Sequence, residues 1–596
     1  MADSPQLNSS DVVKLSVLSN GSALDETTRI VSVHITKAMN KIPTATIVVL
    51  DGDMPSKDFP LSNDEVFKPG SEIVVNAGYG QDETQLFKGV VTKHSLKITG
   101  DNYARLVIEC RDAAVAMTIG RKNANYIDSK DSDIITKLIG NYSGLSASVE
   151  ATDTQHKELV QYYSSDWDFL LSRAEANALL VAVDDGSVTV KPPQVSTAAE
   201  LKVTYGEDLM EFSADMDARS QLAAVTGACW DVQNQTVIEE QVGPQTLNSQ
   251  GDLTSAELAD VIGLDTYRLQ TSAPVDKTVL KSWANGQQLK AGLARVRGRI
   301  KFQGNASAKI NTLIELDGVG NRFNGEVFVS AVTHEIADGN WTTEATFGMS
   351  PDWFAEQRDL QAPPASGLVP GVQGLHIGVV MKLDEDPQGQ HKIQVAVPVL
   401  QAETEGVWAR LAGFYGSEGI GAFFIPEIGD EVVLGYFNND PAHPVILGSL
   451  YSSKRTPPYS LTADNFIKAI VTKSELKLEF DDEKKITTLV TPGNNTIVIS
   501  DDNQSILLQD QNNNKVELNA NGIVLDSPAD ISISAKGKIT LSAVSEISAA
   551  SQADVSLEGL NINATANVGF TAQGNATAEL SASGQTTVKG AMVMIN

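Results

Sequence analysis

The chain has 596 residues, too many for one hydrophobic core, so several domains are expected. Aspartate and glutamate number 75 against 45 lysines and arginines, a net charge of −30, which excludes the basic footprint of a nucleic-acid surface and favours solubility. The two cysteines, Cys110 and Cys229, are too few for a disulfide scaffold and fit a reducing compartment.

The start, MADSPQLNSSDVVKLSV, lacks the charged-then-apolar pattern of a signal peptide, and no apolar run approaches a membrane span. The expectation is a chain made and assembled in the cytoplasm that leaves by a route needing no signal peptide. The first third alternates as strands: VKLSVL, RIVSVHITKA, TATIVVLDG, SEIVVNAGYG and ARLVIECRDA. Helical patterns follow at SDIITKLIGNY and SSDWDFLLSRAEANALLVAV, the second with Ser165 and Asp166 as N-caps and an apolar stripe of Leu170, Leu171, Ala174 and Ala178. Strands return over 294–347, and the composition of PPASGLVPG over 363–371 is that of a linker. Six short segments come next: HIGVVMKL, HKIQVAV, VWARLA, GAFFIP, EVVLGYF and PVILGSLY. Broken by glycine and proline, they read as antiparallel strands of a small barrel such as an OB-fold.

The last 130 residues keep a different rhythm. Ile523, Ile531, Ile539, Ile547 and Val555 step by eight, and Leu525, Ile533, Leu541, Ala549 and Leu557 follow them two residues later. A two-residue interval puts both members of a pair on one face of a strand, so the octad predicts a short strand, a turn and another strand, repeated. The spacing is longer before this stretch and looser after it. Such a repeat is the signature of a β-solenoid or β-prism. One chain wound on itself would be thin-cored, because two aliphatics per octad are a poor return for ordering eight residues. Several chains wound about a shared axis would bury these pairs together and cover their strand edges. The expected needle core is therefore Ile523, Leu525, Ile531, Ile533, Ile539, Leu541, Ile547, Val555 and Leu557.

The barrel segment is specific. GVVMKLDEDPQGQHKIQVAVP followed by VWARLAGFYGSEGIGAFFIPEIGDEVVLGYFNNDPAHPVILGSLY closely resembles the OB-fold of VgrG proteins, the spikes of bacterial contractile injection machines. SSDWDFLLSRAEAN over 164–177 resembles the helical motif of that family's hub. The stretch 298–347 is similar to its last hub barrel, and the octads to its β-helical needle. SPDWFAEQRDLQAPPASGLVPG resembles spikes of free phage-tail-like particles. The resemblance implies a mainly β chain with barrel-like hub domains and some helices, an OB-fold barrel, and a C-terminal intertwined trimeric β-helix or β-prism. The divisions expected are a hub of two barrel-like parts with a helical insertion over 1–362, a linker over 363–374, the OB-fold over 375–452, a linker over 453–463, and the needle over 464–596.

As a function, the resemblance implies a homotrimeric central spike that joins the inner tube and baseplate hub to a needle puncturing the target membrane. Implied partners are further copies of the chain, the inner-tube or tube-initiator ring, baseplate proteins, a PAAR-like tip protein and cargo effectors. The place is the bacterial cytoplasm during assembly and an injection particle afterwards. The end, KGAMVMIN, would bring three copies of Met592, Val593, Met594 and Ile595 to one blunt apolar platform, which would dock the tip protein, close the last layer of the needle core, or do both. Other readings are the hub-spike of a contractile phage tail and a β-solenoid carbohydrate-active enzyme.

Signals for chemistry are weak. HEIAD at His334 begins like a zinc-protease motif, but Asp338 stands where the second histidine belongs, and the run is strand-like. The spacing of His376, His391 and His443 matches no metal motif. GYGQDE at Gly78 and GVGNRF at Gly318 read as hairpin turns, and no GxSxG elbow occurs. No catalytic residue, cofactor or metal is expected.

Overall fold

The computed structural model describes residues 2–5, 12–100, 103–357, 360–400 and 406–595. The chain separates into two compact units, Met1–Leu450 and Tyr451–Asn596.

In the first unit, alternation dictates the strands. Thr44–Leu50 buries Ala45, Ile47 and Val49 and turns the residues between them outward; Asn340–Phe347 buries Trp341, Thr343, Ala345 and Phe347 in the same way. Thirteen strands join in one sheet that curls around two cores. Val33, Ile35, Ile47, Val75, Phe87, Leu106 and Ile108 fill the first, and Val203, Ile300, Phe302, Ile314, Val327 and Phe347 the second. The seam between them is the pairing of Gly325–Ala337 with Ile30–Ala38, in which Ile336 faces Val33. Both glycine motifs lie in hairpin connections, Glu72–Tyr79 to Asp82–Ile98 and Leu313–Asp317 to Gly325–Ala337.

The helices Asp131–Gly140 and Asp166–Ala176 form a separate core with the hairpin Leu180–Asp184 and Ser187–Lys191. Ser165 caps the second helix, its Oγ accepting from the Asp168 N–H at 3.0 Å. This helix is shorter than its sequence pattern. Asn177 ends it, Ala178 takes a φ of +57°, and the Leu179 N–H returns to the Ala174 carbonyl. The residues after Ala178 then join a strand, where Val181 and Val183 are buried. The short helix Pro60–Asn63 and two longer ones escape the sequence reading. Ser255–Ile262 carries a Thr254–Glu257 capping box and ends at the left-handed Gly263, while Lys277–Leu293 buries Leu280, Ala284 and Leu289.

His376–Lys382, Ile393–Ala396, Val407–Leu411, Glu431–Tyr436 and Pro444–Ser449 close a five-stranded barrel. It packs on Val380, Val395, Ala409, Val432, Leu434 and Ile446. GAFFIP is not a sixth strand. Only Ile420–Gly421 pairs, with Gly416–Ser417, and Phe423 and Phe424 run on exposed. Gly421 has a φ of +146°, and Pro426 has no N–H to give a ladder.

The second unit opens with a seven-stranded antiparallel meander from Ile467–Val471 to Gly522–Asp526. The longer spacing seen before the octads is the length of its hairpins. Most turns carry one residue in the left-handed region: Glu475, Lys485, Asn494, Gln504 or Asn513. Beyond Asp526 the chain is extended, with bends at 528–529, 536–537, 544–545, 552–553, 560, 567–568, 575–576, 583–584 and 591–592. The period of eight thus persists to the end, with a single one-residue slip between 553 and 567. Before the slip, the third and fifth residues after each bend start are the predicted pairs, such as Ile531 and Ile533. After it they become Phe570 with Ala572, Ala578 with Leu580, and Thr586 with Val588. The predicted repeating strands are absent from the single chain: among the described residues no strand follows Gly522–Asp526.

Candidate assembly surfaces

The meander aligns its apolar residues in two ladders on one face. Ile470, Leu478, Leu489, Ile497, Leu508, Val516 and Leu525 stand opposite one another from strand to strand. Two residues along, the second ladder contains Phe480, Thr487, Ile499, Ile506, Leu518 and Ile523. With strands about 4.8 Å apart, this face is roughly 30 Å wide. Most of it is open: Ile497, Ile499, Leu508 and Leu525 are each between 41% and 56% exposed. An open groove of about 660 Å³ follows it, lined by Leu489, Ile497, Leu508, Val516, Leu525 and Ile531. The opposite face carries charge. Glu479 accepts from the Tyr459 hydroxyl and from Lys477, and these bonds hold its carboxyl below the usual range.

The structure places every predicted needle-core residue in solvent: Ile523, Leu525, Ile531, Ile533, Ile539, Leu541, Ile547, Val555 and Leu557 are all exposed in the single chain. Residues 527–595 make no backbone–backbone hydrogen bond within the chain. Only the Ala529 and Ala553 N–H groups find a partner, the hydroxyls of Ser527 and Ser551 at 3.1 Å, so nearly all of the backbone is open together with the aliphatics. Met592, Val593, Met594 and Ile595 are exposed as well; Met592 lies in the last bend and Met594 three residues after its start, the phase of the inner pairs.

Two polar clusters in the first unit are closed upon themselves. Asp131, buried at the start of its helix, accepts from Arg173 Nε and Nη2 at 2.7 and 2.9 Å and from Asn177 at 2.9 Å, with His156 Nε2 also at 2.9 Å. Burial works to raise its pKa, but the Arg173 hydrogen bonds and charge outweigh this and hold it below the ordinary carboxylate value. The cluster borders a cavity of about 320 Å³ that Trp283 and Trp353 also line. Glu175 and Lys290 form a buried pair that fastens the segment after the hub sheet, with Glu175 accepting from the Phe354 N–H at 2.7 Å.

His334 sits in the middle of the strand Gly325–Ala337, 4% exposed. Thr343 Oγ1 at 2.9 Å and the indole N–H of Trp341 at 3.4 Å both meet its Nδ1, which therefore accepts. Burial pushes its pKa down to about 3. His376 stacks edge-on against Tyr436, and His443 lies beside Asp440. Among the described residues, no group of three or more His, Cys, Asp or Glu is placed to hold a metal ion. Among the described residues, no helix is long and apolar enough to cross a membrane.

Residues 376–451 match the family model of the type VI secretion system/phage-baseplate injector OB domain. The type VI secretion system spike protein VgrG1a of Pseudomonas aeruginosa is 34% identical over 62 residues, 10% of each chain. Spike protein VgrG2a of the same organism is 28% identical over 141 residues, 22% of this chain and 17% of that one. The matched stretches are thus under a fifth of these relatives' length. The 43 kDa tail protein of prophage MuSo2 from Shewanella oneidensis superposes with a TM-score of 0.44 at 12% identity, covering 57% of this chain and 99% of its own. The barrel and the sequence it matches define a VgrG-like spike protein. Over residues 9–338, more than half its length, the chain belongs to the family described as the Alg8 N-terminal domain.

Proposed function

We propose that the chain is the homotrimeric central spike of a bacterial contractile injection system and works mechanically, without catalysis of its own. One observation carries this reading: 69 consecutive residues, 527–595, hold an eight-residue apolar phase without a backbone–backbone hydrogen bond within the chain, and their aliphatics stand exposed. Ordering a backbone costs about 1–2 kcal/mol per residue, so a lone chain cannot hold this form. Three copies about one axis pair the extended octads between chains and turn the ladders and inner pairs into a common core.

The hub end meets the inner-tube ring and baseplate proteins, and the needle is driven through the target membrane. Assembly takes place in the bacterial cytoplasm. The divisions are a hub over 1–362, an OB-fold neck over 375–452 and a needle over 464–596. Met592, Val593, Met594 and Ile595 form the platform for a PAAR-like cap. Electron micrographs of the purified protein mixed with such a cap should show a broad head with a slender, capped projection. Deleting residues 591–596 should keep the projection and remove the cap. A compact particle would contradict the spike reading; a cap retained after the deletion would contradict only the tip assignment.

A further inference from the structure

The barrel carries an apolar surface that the needle does not explain. The hairpin after Val407–Leu411 pairs Gly416 with Gly421 and Ser417 with Ile420, and the Ala422 N–H closes it on the Tyr415 carbonyl at 3.0 Å. Phe414 and Phe424 stack across its base with ring centroids 6.4 Å apart. Phe414 is 86% exposed and Phe423 88%, and Tyr415, Ile420 and Phe424 are exposed beside them. A Cβ on Gly421 would come within 2.8 Å of the Tyr415 carbonyl oxygen, so the tight closure that presents these rings requires glycine there.

Composition and area mark this hairpin as a contact. In a chain with 20% charged residues, the only charge over 412–426 is Glu418. Aromatic enrichment with depleted charge is the signature of an interface core. At roughly 150–250 Å² per aromatic side chain, the four aromatics and Ile420 present on the order of 600 Å² or more. That reaches the largest apolar patches of ordinary monomers, about 300–600 Å², and approaches the roughly 800 Å² each partner contributes to a stable interface.

The barrel topology points to the occupant. Val407–Leu411 and Pro444–Ser449 run parallel, with Arg410 opposite Val445 and Leu411 opposite Ile446. The hairpin therefore leaves the barrel at the same end as the chain does after Ser449. Copies joined along residues 451–596 are tethered at that end, which brings their aromatic hairpins close together. We infer that Phe414, Tyr415, Ile420, Phe423 and Phe424 form a second self-contact, in which the hairpins of neighbouring copies pack on one another. The inference rests on the self-assembly proposed above, and adds a lock at the neck to the one in the needle.

The test is amide hydrogen exchange and subunit exchange of the full chain. In the assembled protein, peptides covering 412–426 should exchange about tenfold or more slowly than in a chain dissociated by charges in the needle. Replacing Phe414, Phe423 and Phe424 together by Ser should leave the copies joined through the needle but speed subunit exchange by about tenfold or more. Unprotected hairpin peptides in the assembled wild type, or unchanged subunit exchange in the variant, would overturn the self-contact and leave the patch to a different protein. A wild-type chain that proved monomeric would instead remove the reading on which the inference rests.

Discussion

A chain with Asp at Ile531, Ile539 and Leu541 is expected to lose its assembled state while keeping a folded hub and barrel. In the single chain all three side chains are exposed, so a monomeric protein would tolerate the change with little effect on stability. In a shared core, each replacement buries an unpaired carboxylate at a cost of at least several kcal/mol. Threefold assembly multiplies three replacements into nine at the axis, beyond the margin of an ordinary folded domain, about 5–15 kcal/mol. Gel mobility in SDS without boiling and thermal dissociation give the readout. Wild-type resistance to heat and SDS in the triple variant would show that these residues do not face a common core.

The second large effect is a loss of hub stability in mild acid, traceable to His334. Burial, aided by the charge of Lys37, depresses its pKa from the ordinary 6.5 to about 3. Below pH 6.5 the unfolded chain takes up a proton that the folded chain refuses. The stabilising contribution is thus fully present above pH 6.5 and falls as pH drops towards 3. At about 1.4 kcal/mol per pH unit, roughly 2–3 kcal/mol is lost by pH 4.5. Urea unfolding at pH 7.5 and 4.5 should show this loss in the wild type and a loss smaller by that amount in His334→Leu. The Leu variant starts less stable, because Thr343 and the Trp341 indole lose an acceptor. Other titrating groups, such as Asp131 and Glu175, act in both proteins and cancel in the comparison. Equal losses in both would mean that His334 does not stay neutral in the fold.

The sequence was legible where one local pattern decided the outcome. The β-branched run TATIVVL survives as a strand with Ala45, Ile47 and Val49 inside, and the Ser165 cap begins a helix as expected. It misled where two patterns overlapped. The helical stripe through Leu170 and Ala174 continues in phase to Ala178, but Asn177 bonds to Asp131 and Ala178 turns left-handed, so the following valines serve a strand instead. The helix Lys277–Leu293 went unread although Leu280, Ala284 and Ala291 fall at helical intervals; Gly286, Gln287 and Gln288 dilute its apolar stripe. Octads after Leu557 looked irregular for two physical reasons. A one-residue slip shifts their phase, and alanine or threonine replaces one aliphatic in the later pairs, as in Phe570 with Ala572. The aromatic hairpin was hidden because GAFFIP has the composition of a strand. Only the barrel's closure without it shows that Phe423 and Phe424 are surplus to the core.

Sharing of one core among copies is tested most directly by the native mass of the purified full-length chain at dilute, submicromolar concentration. Three chains of 63.6 kDa should travel as a single species of three times that mass, persisting on dilution and elongated in its sedimentation. A compact species at 63.6 kDa, with residues 527–595 resistant to proteolysis, would contradict the account, because a lone chain would then be holding the octads without partners.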